Sequence, residues 1–276
     1  MSHDPSNPSL PRAVSTKRAE RMRLVLALLH ERSSVSIAEL EEHLGVSAAT
    51  LRRDVADLDE QGLVLRTHGG VRERDSLREI PVRLRSTRLR HIKQLIARRA
   101  VELLPAGPHA LALSGGTTTA EVARELRYRD GLTIITNSLT IASECAARPR
   151  QKVIMTGGVV RPSSYEAVGM LAEGTLQAIN VGTAILGADG VTAAGGVTTH
   201  DETEARTNHA MVANAQRVIV VADGAKVGQV QLAKMADAGE IDDLVTDSGA
   251  DPLARELLIA AGVAVHVVEL RGGDAA

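Results

Sequence analysis

The sequence has almost no aromatic side chains: its 276 residues include two tyrosines and neither tryptophan nor phenylalanine. Its hydrophobic cores must therefore consist of leucine, valine, isoleucine and alanine. Proteins that bind RNA or single strands usually stack the bases on aromatic rings, which this chain hardly has. The composition therefore argues against a single-strand or RNA binder, and also against sugar binding by aromatic stacking.

Cysteines and long apolar runs are also scarce. The single cysteine, Cys145, excludes a disulfide framework and a thiolate metal cluster, and its helical surroundings favour a small buried hydrophobe. No run of 18 apolar residues occurs, and the polar N-terminus lacks the apolar segment of a signal peptide. We therefore expect a cytoplasmic protein with no membrane partner. His200 and Asp201 have no further metal ligands nearby in the sequence, so we expect neither a metal nor a cofactor.

Basic residues are concentrated in one part of the chain. The formal net charge of −2 gives no indication of nucleic-acid binding, but residues 72–99 hold ten basic and three acidic side chains. A basic segment in a near-neutral chain is typical of a phosphate contact, and equally of a solvated linker helix. Charge alone leaves both interpretations open. The apolar residues Ile92, Leu95 and Ile96 predict that the segment is partly helical around them.

The pattern divides the chain into a disordered tail (1–16), a winged helix-turn-helix domain (17–71), a basic linker (72–99) and an effector-binding domain (100–276). In the last of these, apolar runs alternate with helical stretches. Continuous apolar runs indicate strands that are covered on both faces. Helices between successive strands imply an α/β fold with a mainly parallel sheet and right-handed crossovers. The runs are 109–113, 132–136, 152–156, 183–186, 218–221, 243–246 and 263–268.

Three short helices are predicted before residue 61. The first covers about 17–32, and the second begins at Ser36, where Glu39 completes a capping box. It ends at Gly45, because glycine takes the left-handed conformation there without strain. Ser47 then caps a third helix. This spacing of two helices around a Leu-Gly-Val-Ser turn is the helix-turn-helix layout.

The third helix has a small, hydroxylic and cationic outer surface. At 100° per residue, Ala49 and Arg53 lie opposite the core-facing Leu51, and Thr50 and Arg52 flank them. Small residues permit close approach to DNA, arginine can bind guanine bidentately, and threonine can reach a base edge or a phosphate. We therefore expect this helix to be the recognition helix in the major groove.

Two short strands joined by a glycine-rich turn are predicted after the third helix, over residues 63–71. Such a hairpin forms a wing, which would present its side chains to the DNA backbone or minor groove. His68 taken alone is explained as well by a turn histidine without a role, but its context favours a backbone contact. The predicted DNA-binding residues are Ser47, Ala49, Thr50, Arg52, Arg53, Arg66 and His68.

Residues 114–119, with the sequence Ser-Gly-Gly-Thr-Thr-Thr, follow the first predicted strand of the second domain. Glycines let backbone N–H groups approach an anion, and threonine hydroxyls at a helix start can donate to it. The segment matches neither the nucleotide P-loop nor the dinucleotide fingerprint. A tight turn is the alternative, but three consecutive threonines favour a phosphate site.

Polar residues also end other predicted strands of this domain. Ligands of open parallel sheets bind beyond the carboxyl ends of the strands, so these loops should share one site. Any one residue could be a structural cap, but the set favours a polar small-molecule site. The predicted effector-binding residues are Ser114, Gly115, Gly116, Thr117, Thr118, Thr119, Asn137, Ser138, Gly157, Asp189, Glu204 and Lys226.

The order and spacing of these motifs resemble the DeoR family of bacterial sugar-catabolism repressors, from Arg21-Met22-Arg23 through Leu44-Gly45-Val46-Ser47 to His68-Gly69-Gly70. The second domain resembles the sensor domain of that family at Thr136-Asn137-Ser138 and Gly187-Ala188-Asp189-Gly190. The resemblance implies a ribose-phosphate-isomerase-like fold, a phosphorylated sugar as effector, double-stranded operator DNA as partner, and repression. Family members usually carry aspartate where this chain has Ser114, which implies that the pocket lacks one carboxylate.

The resulting hypothesis is a homo-oligomeric transcriptional regulator in which effector binding shifts DNA affinity, by a coupling of about 1–3 kcal/mol. One alternative is a sugar-phosphate isomerase or deaminase with an accessory DNA-binding head. Its possible acid–base groups are Asp189, Asp201, Glu204, Asp223 and Lys226. The complete head and Ser114 argue against it, so we do not expect an enzyme. The other alternative, an architectural DNA binder without a ligand, is disfavoured by the polar strand ends.

Overall fold

The computed structural model describes residues 16–60, 62–73, 82 and 89–270. The chain forms two compact units that divide between Arg88 and Leu89, each with its own hydrophobic core. The predicted disordered tail lies outside the described residues, except for Thr16. Within the described ranges, none of the helices combines the length and the apolar character that a membrane crossing requires.

The first unit contains three helices and a three-stranded antiparallel sheet with β3 at its centre. Its elements are α1 (Thr16–Arg32), β1 (Ser34–Ser36), α2 (Ile37–Leu44), α3 (Ala48–Glu60), β2 (Val64–Thr67) and β3 (Gly70–Glu73). The predicted helix-turn-helix and wing are both present. The strand β1 was not predicted, because a strand of three residues is too short to produce a periodic pattern.

The ends of α2 have the predicted caps. The hydroxyl of Ser36 accepts the N–H of Glu39 (3.1 Å), and the Glu39 carboxylate accepts the N–H of Ser36 (2.7 Å). Gly45 has φ +61°, and its N–H donates to the carbonyl of Glu41. Both ends of α2 are therefore determined by local side-chain and backbone chemistry.

The start of α3 differs from the prediction in one detail. The Ser47 hydroxyl lies 3.1 Å from the hydroxyl of Thr50, and the N–H of Ala48 donates to the Glu41 carboxylate (3.0 Å). A carboxylate from the preceding helix thus satisfies this N–H at the positive end of α3. The sequence pattern assigns this role to Ser47 because it considers only local residues.

A buried carboxylate ties α3 to α1. Asp54 lies on the core side of α3 with only 1% of its surface exposed, beside the buried Leu51 and Val55. It accepts a hydrogen bond from Arg18 Nε (3.0 Å) and is paired with Arg21. Two guanidinium groups compensate for the cost of taking this charge out of water.

The second unit is built on a seven-stranded sheet in which every pairing is parallel. Its strands are β4 (His109–Leu113), β5 (Leu132–Thr136), β6 (Lys152–Met155), β9 (Thr183–Gly187), β12 (Val218–Val221), β14 (Asp243–Asp247) and β15 (Ala264–Val268). These are the seven predicted runs, with ends within one residue of the prediction. The order across the sheet is β15-β14-β12-β9-β4-β5-β6.

Hydrophobic clusters cover both faces of this sheet. Leu111 and Leu113 of β4 belong to one cluster, and Ala112 between them belongs to the other. Covered faces explain why the strands are continuous apolar runs rather than alternating ones. The helices of the unit are α4 (Arg90–Glu102), α5 (Thr117–Glu125), α6 (Leu139–Ala146), α7 (Met170–Gln177), α8 (Glu202–Ala213) and α9 (Pro252–Ala260).

The predicted basic linker, 72–99, differs from the structure at its C-terminal end. Residues 90–99 belong to α4, whose Ile92 and Ile96 are buried in one of the clusters on the sheet. The apolar residues of this helix pack against the sheet, although its basic residues suggested a solvated linker. The start of the segment completes β3, and 74–88 lie outside the described residues apart from Val82.

Two small antiparallel sheets lie in segments for which no strand was predicted. One is the hairpin of β7 (Val159–Val160) and β8 (Ala167–Val168), and the other joins β10 (Gly190–Thr192), β11 (Gly196–Thr199) and β13 (Ala233–Ala236). Strands of two to four residues depend on tertiary contacts and carry little pattern of their own.

Replacement of Asp54 by alanine should destabilise the first unit by about 2 kcal/mol, because Arg18 and Arg21 lose their charged hydrogen-bond partner. Asp59→Ala on the same helix is the matched control, since Asp59 is partly exposed. Hydrogen exchange of the α1 and α3 amides across a urea series measures both effects. Equal losses in the two variants would show that the Asp54 pairs do not stabilise the unit.

Candidate functional site

The predicted DNA-binding residues lie on the surface of the first unit. Those on α3 are exposed except for the half-buried Thr50, and the two wing residues lie at the end of β2 and in the β2–β3 turn. Leu51, Val55 and Leu58 of α3 are buried, so the opposite face of the helix is the one available to a partner. The exposed members are Ser47, Ala49, Arg52, Arg53, Arg66 and His68.

A second candidate site lies where the strand order reverses. From β4 the chain adds β5 and β6 on one side, and from β9 it adds β12, β14 and β15 on the other. The helix after β4, α5, packs in one core cluster and α8 packs in the other, so the connections leave β4 and β9 toward opposite faces. A crevice forms at such a switch point, beyond the carboxyl ends of the strands.

Ser114 joins the two strands at this point. Its hydroxyl accepts the N–H of Gly187 at the end of β9 (3.0 Å) and donates to the carbonyl of Gly115 (3.2 Å). The side chain is 1% exposed. Ser114 therefore holds β4 and β9 together at the base of the crevice.

The threonines after Ser114 differ in their hydrogen bonds. The Thr119 hydroxyl donates to the carbonyl of Gly116 (3.0 Å), which shapes the loop. The hydroxyls of Thr117 and Thr118 make no hydrogen bond to the residues that the structure describes, although Thr118 is only 8% exposed. Two hydroxyls at the start of α5 are thus available to donate, where the helix dipole favours an anion.

Glycine is required at two positions in this loop. Gly116 has φ +120°, a conformation that L side chains rarely adopt. A Cβ at Gly115 would lie 2.0 Å from Oε1 of Glu166, which packs directly against the backbone there. Ser114 was predicted to leave the pocket without one carboxylate, yet Glu166 brings a carboxylate to the neighbouring residue.

Asp189, after β9, organises one group of charges. It is paired with Lys226, whose ammonium also donates to the carbonyl of Ala188 (3.1 Å). The Thr199 hydroxyl lies 3.3 Å from Asp189 Oδ2 and 2.8 Å from Glu204 Oε1, so it donates to one of the two carboxylates. Three predicted site residues, Asp189, Lys226 and Glu204, are therefore brought together through Thr199.

Arg161 connects a second group of charges. Its guanidinium is paired with Glu204 and lies 3.3 Å from the carboxylate of Asp201. Arg161 follows β7, and the other two residues lie at the start of α8. The small β7–β8 hairpin thus contributes a cation to the polar edge of the large sheet.

Glu166 is buried in an amide network. Its Oε2 accepts hydrogen bonds from Asn137 Nδ2 (3.1 Å) and Asn208 Nδ2 (3.2 Å), and Asn137 Nδ2 also donates to Asn208 Oδ1 (3.0 Å). Burial, together with the nearby charge of Glu204, raises the pKa of the Glu166 carboxyl well above 4.5. The two asparagines and Arg161 only partly offset these effects on the pKa.

The side chain of Ser138 and the backbone of Gly157 take no part in this amide network. The Ser138 hydroxyl caps α6 by accepting the N–H of Ile141, and Gly157 lies beside Leu171 of α7. Arg161, Glu166 and Asn208 were not predicted. The first two lie in the short β7–β8 hairpin and the third lies inside α8. None of them lies at the end of a predicted strand or in a glycine-rich turn, which were the features used to predict site residues.

Two family models match most of the chain. The DeoR-like helix-turn-helix domain matches residues 21–76, and the DeoR C-terminal sensor domain matches residues 90–248. The chain belongs to the DeoR family. The domain order also agrees with the two units of the structure, and the fold is α/β with an N-terminal helix-turn-helix.

Curated relatives support the same conclusion. The chain is 36% identical over 248 residues to the HTH-type transcriptional regulator GlpR of Haloferax volcanii, covering 90% of this chain and 96% of the relative. It is 32% identical over 235 residues to the glycerol-3-phosphate regulon repressor of Escherichia coli K12, covering 84% and 92%. This DeoR-family chain is therefore a DNA-binding transcriptional regulator and not an enzyme.

Among solved structures, a ribose 5-phosphate isomerase from Methanocaldococcus jannaschii is 19% identical, with a TM-score of 0.38 over 52% of this chain and 55% of that one. The full-length sorbitol operon regulator SorC from Klebsiella pneumoniae is 14% identical, with a TM-score of 0.37 over 86% of this chain and 98% of that one.

Glu166→Gln should stabilise the second unit increasingly as the pH rises. A carboxyl whose pKa is raised by folding contributes stability below its unfolded pKa, and that contribution is lost as the pH rises through the folded pKa. Glutamine does not titrate, so the difference in melting midpoint should grow as the pH rises above the ordinary pKa of 4.5. Scanning calorimetry at several pH values measures it.

The matched control is Glu256→Gln, which removes an exposed carboxylate from α9. If Glu166→Gln and Glu256→Gln change the midpoint equally at every pH, burial does not disfavour the charge of Glu166.

Proposed function

We propose that this DeoR-family regulator represses genes of carbohydrate metabolism, and that a phosphorylated sugar bound by its second unit changes its affinity for operator DNA. The observation that carries this proposal is the pair of available hydroxyls, Thr117 and Thr118, at the start of α5. They lie at the same edge of the parallel sheet as a network of charged side chains. The names of the relatives, which include a glycerol-3-phosphate regulon repressor, support repression.

The two parts of the crevice suit the two ends of a sugar phosphate. The glycine-threonine loop offers donors and a helix N-terminus to the phosphate, which carries the negative charge. The polar groups around Asp189, Glu204 and Lys226 offer acceptors and a cation to the sugar hydroxyls. Ser114 and Thr119 would shape the site without binding the ligand through their hydroxyls. The Ser114 hydroxyl already bonds Gly187 of β9, and the Thr119 hydroxyl already bonds Gly116 of the loop.

The exposed face of α3 supports sequence readout. Arg52 and Arg53 project from a helix whose opposite face is buried in the core of the first unit. We assign Arg53 and Ala49 to base edges in the major groove, and Arg66 and His68 of the wing to the DNA backbone.

Helix-turn-helix proteins usually bind repeated half-sites as symmetric oligomers, so we propose that the regulator is a homo-oligomer in the cytoplasm, where its operator is accessible. Ligand and DNA would then influence each other reciprocally, through the basic segment that joins the two units. Binding to the DNA upstream of its own gene, measured at fixed salt with and without a panel of sugar phosphates, tests this function. If no sugar phosphate alters binding, the sensing part of the proposal fails.

Arg53→Ala should weaken specific DNA binding by about 1–3 kcal/mol and relax the base preference at one position, because a bidentate base contact is lost. Arg206→Ala, which removes an exposed arginine of α8 in the second unit, is the control. Fluorescence anisotropy with the operator and single-base variants measures both effects. Wild-type affinity and preference in Arg53→Ala would show that another face of α3 reads the DNA.

Thr118→Ala should leave DNA binding intact and weaken the effector response by roughly tenfold in ligand concentration, because the phosphate loses one hydrogen bond. Thr175→Ala is the control, because it removes a partly exposed threonine hydroxyl of α7 that donates only to the carbonyl of Leu171 among the described residues. Ligand titration of the preformed protein–DNA complex measures the response. A response identical to wild type would place the phosphate elsewhere in the crevice.

A further inference from the structure

Beyond the proposed function, on which this inference rests, we propose that Glu166 determines ligand specificity. Its carboxylate accepts a hydrogen bond from a ligand hydroxyl beside the phosphate loop, and it excludes ligands that carry a carboxylate at that position. The effector is therefore a phosphorylated polyol or neutral sugar, and its acid counterpart is rejected.

The backbone holds Glu166 in one position. The preceding residue, Tyr165, has φ +56°, a left-handed conformation that is costly for a side chain of this size. The N–H of Ala167 donates to the carbonyl of Asn137 (2.7 Å), and the N–H of Leu139 donates to the carbonyl of Tyr165 (3.0 Å). These bonds attach the β7–β8 hairpin to the end of β5, on both sides of Glu166.

The two oxygens of Glu166 have different environments. Oε2 accepts both asparagine amides, whereas Oε1 lies against Gly115 and accepts no hydrogen bond from the residues that the structure describes. Asn137 is fully buried, and its Oδ1 likewise has no hydrogen-bond donor. Among the described residues, Asn137 Oδ1 is thus a buried acceptor without a donor, and Glu166 Oε1 in the same cluster is left without a hydrogen bond. Buried acceptors of this kind are satisfied by a group that donates, such as a hydroxyl.

The surrounding charges make a further anion unfavourable. Among the described residues, the carboxylates of Glu204, Asp201 and Asp189 lie in the same network as Glu166, where Arg161 and Lys226 pair with them. The nearby His200 ring lies 3.9 Å from Asp189. Burial and the nearby charge of Glu204, which disfavour the ionised form of Glu166, would act in the same way on a ligand carboxylate placed against it, so such a ligand would bind less tightly.

In this arrangement the phosphate binds at the hydroxyls of Thr117 and Thr118, and the neutral part of the ligand lies against Glu166. Glu166 packs against Gly115, whereas the available hydroxyls belong to Thr117 and Thr118 at the start of α5. The two ends of the ligand thus meet opposite electrostatic environments, and Glu166 lies beside the part of the ligand next to the phosphate.

Isothermal titration calorimetry with two ligand pairs tests this inference. The pairs are glycerol 3-phosphate with 3-phosphoglycerate, and glucose 6-phosphate with 6-phosphogluconate; in each, the second member carries a carboxylate that the first lacks. The full-length wild type should prefer the first member of the pair that it binds by at least about tenfold. Glu166→Gln keeps the shape of the side chain and should reduce that ratio by roughly tenfold, because glutamine cannot ionise beside the ligand and its amide can donate to a ligand carboxylate.

Glu256→Gln is the control for loss of a negative charge and should retain the wild-type ratio. Glu166→Ser, which shortens the side chain, provides a second comparison if the glutamine variant does not fold. An unchanged ratio in a folded Glu166 variant that still binds a sugar phosphate would overturn the inference and leave the proposed function intact. If neither wild type nor variants bind any of the four ligands, the inference is overturned, and the panel of sugar phosphates described above decides the proposed function separately.

Discussion

The parallel direction of the seven central strands is the constraint on which the second unit depends. It brings the carboxyl ends of all seven strands to the same edge of the sheet. The neighbouring strands β9 and β4 form the switch point between the two sets of crossover connections. Residues that are far apart in the sequence meet there, as Ser114 and Gly187 do through one hydrogen bond. A reversed strand among these seven would carry its polar loop to the opposite edge. The crevice is therefore a consequence of topology.

Buried charge is the second feature of this edge. Carboxylates taken out of water are costly unless cations or amide donors compensate them, and here Arg161, Lys226 and two asparagines do so. The compensation is incomplete at Glu166, whose pKa is raised well above its ordinary value. Incompletely satisfied groups of this kind are concentrated where proteins bind ligands.

The first unit uses charge in a different way. Asp54 is buried and paired with Arg18 and Arg21, so its role is to hold α3 on α1. Arg52 and Arg53, adjacent to it in the sequence, are exposed on the other side of the same helix. A single helix thus separates charges that stabilise the fold from charges available to phosphates and bases. The helical repeat accomplishes this separation within three consecutive residues.

Local chemistry and periodicity were sufficient to predict much of this protein from its sequence. The capping box at Ser36, the left-handed Gly45, the buried face of α3 and the seven apolar strands all depend on neighbouring residues, and the structure confirms them. The order of the strands and the packing position of α4 could not be predicted from the sequence. Residues 90–99 read as a basic linker because the sequence does not show which surface covers Ile92 and Ile96.

The tertiary structure alone decided which side chains share the crevice. Glu166 and Arg161 lie in a hairpin of two-residue strands, and Asn208 lies in the middle of a helix, so no local pattern distinguishes them from surface or core residues. Their proximity to Gly115 and Glu204 arises from contacts across long sequence separations. The sequence by itself determined the family, the helix ends and the strands, because these depend on short-range energetics. Packing decided which residues form the site, since those residues meet only when both the strand order and the position of the β7–β8 hairpin are in place.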